Sequence, residues 1–301
     1  MHHIVMDSQV LTALMKCPAA FNYRFNENLE KNEGKSNSLE CGSLTHTILE
    51  FFYKARIEGK NRNDAIDIGF EAGKEYLVAY KETNKYVKEK DHLGILNTPE
   101  ESTKKPDRLG WRYVFATMHE YFDFWRNDSF TPVGVECVKS HLIYKDDEMQ
   151  ILWKAKFDLI EDTPGGFLPT DHKTMSQRRD TLSLNNQFMG QSIIMASRQV
   201  RINKIGWQTS LAPEEKFQRV YIPYSVDRLA EWANVTVPHH ARMLIAYTEA
   251  GHFPFTYNCE GQYGKCNFYA IDESDRANRE VIKQTQYRVG KPWDIGHDDA
   301  I

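Results

Sequence analysis

The chain has 301 residues, of which 41% are hydrophobic, and this is enough for a sizeable core in one large domain or in two. Its formal net charge of −4 is unusual for a protein that coats nucleic acid through many phosphate contacts, so composition argues against that class. Five cysteines, no signal-peptide pattern and no apolar stretch long enough to span a membrane favour the cytoplasm, argue against disulfides and predict no membrane contact.

Near the N-terminus, the segment GSLTHTILEFFY predicts a helix that places His46 and Glu50 one turn apart on one face. Neutral imidazole binds Mn²⁺, which makes His46 a candidate metal ligand. A histidine on a helix is, however, more often a surface or core residue, and that alternative stays open at this point.

A charged, lysine-rich segment follows at residues 54–108 and predicts a helical insertion, with a helix from Asp64 to Lys88. Beyond it, Trp111 to Trp125 predicts a helix whose aromatic side chains belong to the core. We expect a single domain over residues 1–301, with residues 251–301 as a C-terminal extension that packs against the N-terminal helix near Cys17.

A β-hairpin is predicted in the middle of the chain. Met149 to Glu161 is rich in apolar and β-prone residues, and the turn sequence Thr163-Pro164-Gly165-Gly166 separates it from a second strand, Phe167 to Thr174. Side chains two apart on a strand share a face. Asp171 and Lys173 should therefore lie together while His172 points away, and pairing across the hairpin should bring Asp158 beside them.

This hairpin has the groups that a metal-dependent phosphodiester nuclease needs. The carboxylates of Asp158 and Asp171, with the backbone carbonyl of His172, suit Mg²⁺ or Mn²⁺. Lys173 would orient a water molecule or stabilise the charge that develops on phosphorus. Other acid-x-Lys triplets lie in polar stretches and are expected to be solvated: Glu33-Gly34-Lys35, Glu58-Gly59-Lys60 and Glu214-Glu215-Lys216.

After the hairpin, a helix is predicted from Ser183 through Val200, with Gln187 and Gln191 one turn apart. Strands follow at residues 204–211 and 218–225, and a long helix at 226–250. Basic residues flank the helix and predict either a solvated surface or a phosphate track. They are Lys173, Arg178, Arg179, Arg198, Arg201 and Lys204.

The order of these motifs resembles the RecB-like nucleases of the PD-(D/E)XK superfamily, and most closely their CRISPR-associated exonuclease branch and its stand-alone phage relatives. The motifs are SQVLTALMKCPAAFNYRF, GSLTHTILE, VGVECV, KFDLIE, DHKT and NNQFMGQ, scattered between residues 8 and 272. The resemblance implies an α/β, restriction-endonuclease-like core, in which a mixed sheet is flanked by helices.

The resemblance also implies a role for each matching residue. His46, Asp158 and Asp171 would be metal ligands, Lys173 the catalytic lysine, and Gln187 a support for the active site or the DNA backbone. Glu136, on the preceding strand, would contribute to catalysis. Gln191 stands where many relatives carry tyrosine, which puts a stacking or hydroxyl role there in doubt.

By the same resemblance, the activity would be metal-dependent DNA exonuclease action in recombination, repair or replication. The partners would be DNA ends or single strands, together with recombination or replication proteins. The alternative is a catalytically inactive nucleic-acid-binding or assembly protein on the same fold.

The cysteines carry a second part of the resemblance, because many relatives hold a 4Fe–4S cluster between the chain ends. Cys17, Cys259 and Cys266 match three of its cysteines, and Asp272 stands where the fourth is expected. The set would either still hold a cluster or have lost it. Zinc is a less common partner for three thiolates and a carboxylate. Cys41 and Cys137 are expected to be small buried hydrophobic residues.

Overall fold

The computed structural model describes residues 1–32, 37–83, 110–175, 184–207, 211–256, 259–261 and 264–294. The strands are β1 His2–Met6, β2 Leu29–Lys31, β3 Thr131–Lys145, β4 Met149–Thr163, β5 Gly166–Met175, β6 Gln199–Gly206, β7 Phe217–Pro223, β8 Glu260–Gly261, β9 Gly264–Lys265 and β10 Tyr287–Val289. The helices are α1 Ser8–Lys16, α2 Pro18–Phe21, α3 Asn37–Ile57, α4 Arg62–Thr83, α5 Trp111–Phe124, α6 Asn186–Ile194, α7 Pro213–Lys216, α8 Val226–Glu231, α9 Val237–Ala250, α10 Tyr269–Glu273 and α11 Arg279–Gln286.

Within the described residues, the central sheet has six strands and mixes parallel with antiparallel pairs. β3 runs antiparallel along one side of β4, whereas the other side of β4 is shared by β1, which is parallel, and β5, which is antiparallel. β6 then pairs parallel to β5, and β7 antiparallel to β6. The predicted hairpin is confirmed, and Gly166 closes it with a φ of +101° that favours glycine.

Helices cover both faces of this sheet, which confirms the predicted mixed sheet flanked by helices. One core packs α1, α6 and the α8–α9 region against β4, around Leu11, Trp153 and Phe188. A second core packs α3, α4 and α5 against the opposite face, around Ile48 and Leu159. The hairpin predicted from the sequence therefore lies between two apolar layers that fix its backbone.

The predicted helix after the hairpin is shorter than expected. The structure describes it only from Asn186, where the Asn185 side chain accepts a hydrogen bond from the Gln187 backbone, and it ends at Ile194. Ala196 then turns the chain with a φ of 50°. The strand predicted at 204–211 begins earlier, as β6, because Val200 and Ile202 are buried where β6 pairs with β5 and β7. Tertiary pairing here overrides local helix propensity.

The helical part of residues 54–108 packs closely on the rest of the molecule. α3 continues to Ile57, and α4 then runs back along it and contributes Ala65 and Phe70 to the second core. The remainder of the predicted Asp64–Lys88 helix, beyond Thr83, lies outside the described residues.

The last part of the chain returns to the first. β10 pairs antiparallel with β2, and a third apolar cluster joins the two regions, with Tyr23 and Phe268 among its members. The predicted long helix at 226–250 is confirmed as α8 and α9, joined by a π-helical turn. Among the described helices, none is long and apolar enough to cross a membrane.

Candidate active site

The hairpin of β4 and β5 brings two acidic residues to one place, because Leu159 pairs with Thr170 and so sets Asp158 near Asp171. The backbone N–H of His172 donates a hydrogen bond of 2.8 Å to Oδ2 of Asp158. The Asp171 side chain is only 1% exposed. Both carboxylates are therefore held by strand geometry rather than by a mobile loop.

Helix α3 adds His46 to these acids. Its Nε2 lies 3.0 Å from the backbone oxygen of His172, and its Nδ1 lies 3.7 Å from Oδ2 of Asp158 and 3.8 Å from Oε1 of Glu136. One ligand atom each from His46, Glu136 and Asp158 lies within 4.8 Å of the others. These three residues form the donor set, a name kept for them below.

Glu136 occupies an unusual backbone position within β3. Its φ of 46° lies in the left-handed region, which costs a non-glycine residue about 1–3 kcal/mol. The strand pleat also switches sides here. Val135 packs in the core beneath α3 and Cys137 against the opposite core, although residues two apart normally share a face.

The same switch occurs on β4 opposite Glu136, where Phe157 and Leu159 belong to opposite cores. Glu136 and Asp158 thus sit at the one point along this strand pair where both pleats reverse. Strained backbone of this kind persists only where the surrounding structure enforces it, and it is concentrated at functional sites.

The site brings three carboxylates together, and a bound cation would offset their negative charge. Burial and the carboxylates of Asp171 and Glu136 raise the pKa of Asp158. Burial alone would lower the pKa of His46, but the carboxylates of Asp158 and Glu136 outweigh it and raise that pKa to about 9. Oxygen and imidazole donors suit Mn²⁺, and carboxylates suit Mg²⁺. The donor set therefore fits the divalent cation that the resemblance implied.

Asp171 lies beside the donor set and contacts two side chains on the same face. Nζ of Lys173 lies 2.9 Å from Oδ2 of Asp171, and the Gln187 amide donates a hydrogen bond of 2.7 Å to its Oδ1. Burial alone would lower the pKa of Lys173, but Asp171 and Asp158 raise it. Lys173 is therefore a protonated, positively charged group, suited to stabilising negative charge.

The remaining predicted positions play different parts. The His172 ring points away from the acids and stacks on Tyr53 with centroids 5.5 Å apart, and burial lowers its pKa well below the ordinary value. His172 reaches the site through its backbone, with the carbonyl near His46 and the N–H on Asp158. Gln191 is fully buried and donates to the backbone oxygen of Lys156, so it supports β4 from behind.

Lys156, which the sequence did not single out, lies in the site. Its Nζ is 2.9 Å from Oε2 of Glu136, and it lines a cavity of about 310 Å³ together with Asp158, Lys173 and Gln187. In the segment WKAKFD, the alternation of side chains places Lys156 on the same face as Lys154. This alternation is the sequence signal from which the position of Lys156 could have been predicted.

For two of the basic residues near the helix, both predicted alternatives, a solvated surface and a phosphate track, are wrong. Arg201 and Lys204 are each 6% exposed, and Arg201 forms a buried ion pair with Glu161. Neither is a solvated flank or a phosphate contact. Arg178 and Arg179 lie outside the described residues, and Arg198 is exposed.

The residues predicted as ligands of an iron–sulfur cluster come together where the two ends of the described chain meet, in a group separate from the donor set. Ligand atoms of Cys17, Cys259 and Asp272 lie within 4.8 Å of one another, and the Cys266 side chain contacts that of Cys259. Cys41 is fully buried and Cys137 half-buried, as expected for small hydrophobic residues.

This chain is similar to two solved structures and to one family model. Its fold is similar to that of a candidate exonuclease from Eubacterium rectale, with 13% identity over 93% of this chain and 92% of that one and a TM-score of 0.48. It is also similar to the protein SSO0001, with 13% identity over 57% of this chain and 85% of that one and a TM-score of 0.32. No curated protein matches the sequence. A family model of the PD-(D/E)XK nuclease superfamily matches residues 8–271, and the chain belongs to that superfamily.

Proposed function

We propose that this chain is a metal-dependent DNA nuclease of the RecB-like branch that acts as an exonuclease in recombination, repair or replication. One observation carries the proposal. The donor set of His46, Glu136 and Asp158 lies next to the contacting residues Asp171, Lys173 and Gln187, and Asp158, Lys173 and Gln187 line one cavity. A lone acid-x-Lys triplet would not support it.

Each group in the cleft has a defined part in the proposed reaction. The donor set, with the carbonyl of His172 and the neighbouring Asp171, would hold Mg²⁺ or Mn²⁺. When bound, such an ion supplies Lewis-acid polarisation of the phosphate and acidifies water. Lys173, held by Asp171, stabilises the negative charge that develops on the phosphate, while Gln187 fixes the Asp171 carboxylate.

The cavity supports a substrate presented as a strand end or as a single strand. Its volume of about 310 Å³ is at the lower end of small-molecule sites. Lys154 and Lys156 lie on its wall, where their ammonium groups offset nearby carboxylates although the net charge of the chain is −4. Such local charge can engage a few phosphates without the extended basic surface of a DNA-coating protein.

The test uses end-labelled linear single- and double-stranded DNA, closed circular DNA and RNA, each with Mg²⁺, Mn²⁺ or Ca²⁺. We expect linear DNA to shorten from an end with Mg²⁺ or Mn²⁺ while closed circular DNA stays intact. Cleavage of the circles would replace the exonuclease by an endonuclease. Binding that shifts DNA in a gel without shortening it, under every metal condition, would contradict catalysis altogether.

Two substitutions of Glu136 should differ in their free energy of unfolding but not in their loss of metal binding. Glycine adopts the φ of 46° without strain whereas alanine does not, so we expect Glu136→Gly to be more stable than Glu136→Ala by about 1 kcal/mol. Both variants lose a donor, so both should need at least about 10–100-fold more Mn²⁺ for half-maximal DNA cleavage, since that loss already follows when only the outer partners of metal ligands are changed.

Urea unfolding gives the stabilities, and titration of Mn²⁺ in the DNA assay gives the metal requirement. The alanine variant is the matched control, because it removes the same carboxylate and keeps the backbone strain. An alanine variant at least as stable as the glycine variant would show that the left-handed backbone at Glu136 stores no strain.

A further inference from the structure

A group of metal-binding side chains joins the two ends of the described chain, far in sequence from the donor set. Cys17 lies between α1 and α2, and its Sγ is 3.9 Å from Sγ of Cys259. Sγ of Cys259 is in turn 3.7 Å from Oδ2 of Asp272 on α10. Three side chains that can ligate a metal thus converge from segments about 240 residues apart.

The spacing of these donors matches one tetrahedral ion. Two sulfur ligands on a zinc ion, each at about 2.3 Å, lie about 3.8 Å apart across a tetrahedron. The separation of 3.9 Å between Cys17 and Cys259 is close to that value. A 4Fe–4S cluster places each ligand on a different iron, so its ligand atoms lie farther apart than the ligands of a single ion. The donors therefore do not fit a cluster as they stand.

Cys266 supplies a fourth potential donor, next to Cys259. Its backbone N–H donates a hydrogen bond of 2.8 Å to the oxygen of Cys259, beside the paired strands β8 and β9, and the two cysteine side chains contact each other. Cys266 is half-buried against the same apolar cluster. With Cys266, three thiols and one carboxylate are available as the four ligands of one ion.

Neighbouring groups orient the carboxylate and offset the negative charge. The Tyr23 hydroxyl donates a hydrogen bond of 3.1 Å to Oδ1 of Asp272, which leaves Oδ2 facing Cys259. Arg279, on α11, interacts electrostatically with Asp272, and Nζ of Lys283 lies 5.3 Å from the Tyr23 ring centre. Partners of this kind orient the ligands in structural metal sites and tune their affinity.

We propose that Cys17, Cys259, Cys266 and Asp272 bind one Zn²⁺ ion that fastens the C-terminal region to the N-terminal helices. The ion acts as a structural clip, because all four positions are protein ligands and no site is left for a substrate. The ion would also anchor the C-terminal segment that contains Trp293. The indole N–H of Trp293 donates to Oδ2 of Asp7, and Trp293 lines the cavity of the candidate active site. The proposal does not depend on the nuclease activity.

Elemental analysis of the untagged protein, purified without chelator, tests the clip. We expect about one equivalent of zinc, lost in Cys17→Ser and Cys266→Ser with a Tm about 5 °C or more lower. Cys137→Ser, outside the site, should keep its zinc. A zinc-free protein with reactive Cys17, Cys259 and Cys266 thiols, a Cys17–Cys259 disulfide in non-reducing mass spectrometry, or iron with acid-labile sulfide would each overturn the proposal.

Two further variants keep the test decisive if the serine variants do not fold. Asp272→Cys converts the set to four thiolates, and we expect it to keep one zinc and to resist chelation by EDTA longer than the unchanged protein. Asp272→Ala should lose zinc faster. Equal rates of zinc loss in both variants would remove Asp272 from the site. Asp171→Asn, in the active site, should keep its zinc whether or not it cleaves DNA, which separates this proposal from the proposed function.

Discussion

Asp171→Asn and Lys173→Ala should each lower DNA cleavage by about 10²–10³-fold or more, the loss seen when one group that stabilises transition-state charge is removed. Asparagine keeps the shape of the side chain and the acceptor for the Gln187 amide, and replaces the charged oxygen that faces Lys173 by an amide NH2 group. Alanine at position 173 removes the cation that lies 2.9 Å from Oδ2 of Asp171. Single-turnover cleavage of end-labelled DNA measures both losses.

The chain provides matched controls in another acid-x-Lys triplet, Glu58-Gly59-Lys60, which lies exposed at the end of α3. Glu58→Gln and Lys60→Ala make the same chemical changes away from the cleft and should leave cleavage within about twofold, as surface changes rarely matter. Circular dichroism and the Tm show whether the variants are folded. Full activity in a folded Asp171→Asn or Lys173→Ala variant would remove these residues from catalysis.

The sequence was sufficient to predict the hairpin and the placement of its acids and lysine because both depend on local patterns. The alternation of apolar residues in β4, the Pro-Gly-Gly turn and the spacing of Asp171 and Lys173 are short-range features. The helix that carries His46 was also predicted from local patterns. The distance of 3.7 Å between Nδ1 of His46 and Oδ2 of Asp158 could not be predicted, because it depends on how α3 packs across the sheet.

Other features of the site arise only from tertiary structure. The pleat reversal at Glu136 and Asp158 places two acids between opposite cores, and no property of glutamate predicts a left-handed backbone. The adjacent apolar pair Leu159-Ile160 interrupts the alternation on β4 and is the only sequence trace of the reversal. β1 was missed because five residues at the start of the chain become a strand only through parallel pairing with β4.

Arg201, which the sequence placed among the exposed basic residues, is the position where we expect a substitution to lower the free energy of unfolding most. Its guanidinium pairs with Glu161, and the two side chains are 7% and 3% exposed. The Thr170 hydroxyl donates to the same carboxylate at 2.8 Å, so the pair ties β4, β5 and β6 together directly behind the acids of the cleft. Arg201→Met leaves a buried charge without its partner, and we expect it to lower the free energy of unfolding by about 3–5 kcal/mol.

The double variant Arg201→Met with Glu161→Gln removes both charges and should recover most of that loss, since a neutral amide can still accept the hydrogen bond from Thr170. Arg198→Met, on the exposed turn before β6, is the control and should change stability by less than about 0.5 kcal/mol. If Arg201 contacted DNA phosphate instead, its substitution would change DNA binding rather than the free energy of unfolding. If Arg201→Met left the urea midpoint unchanged but reduced the salt dependence of DNA binding, Arg201 would face DNA rather than Glu161.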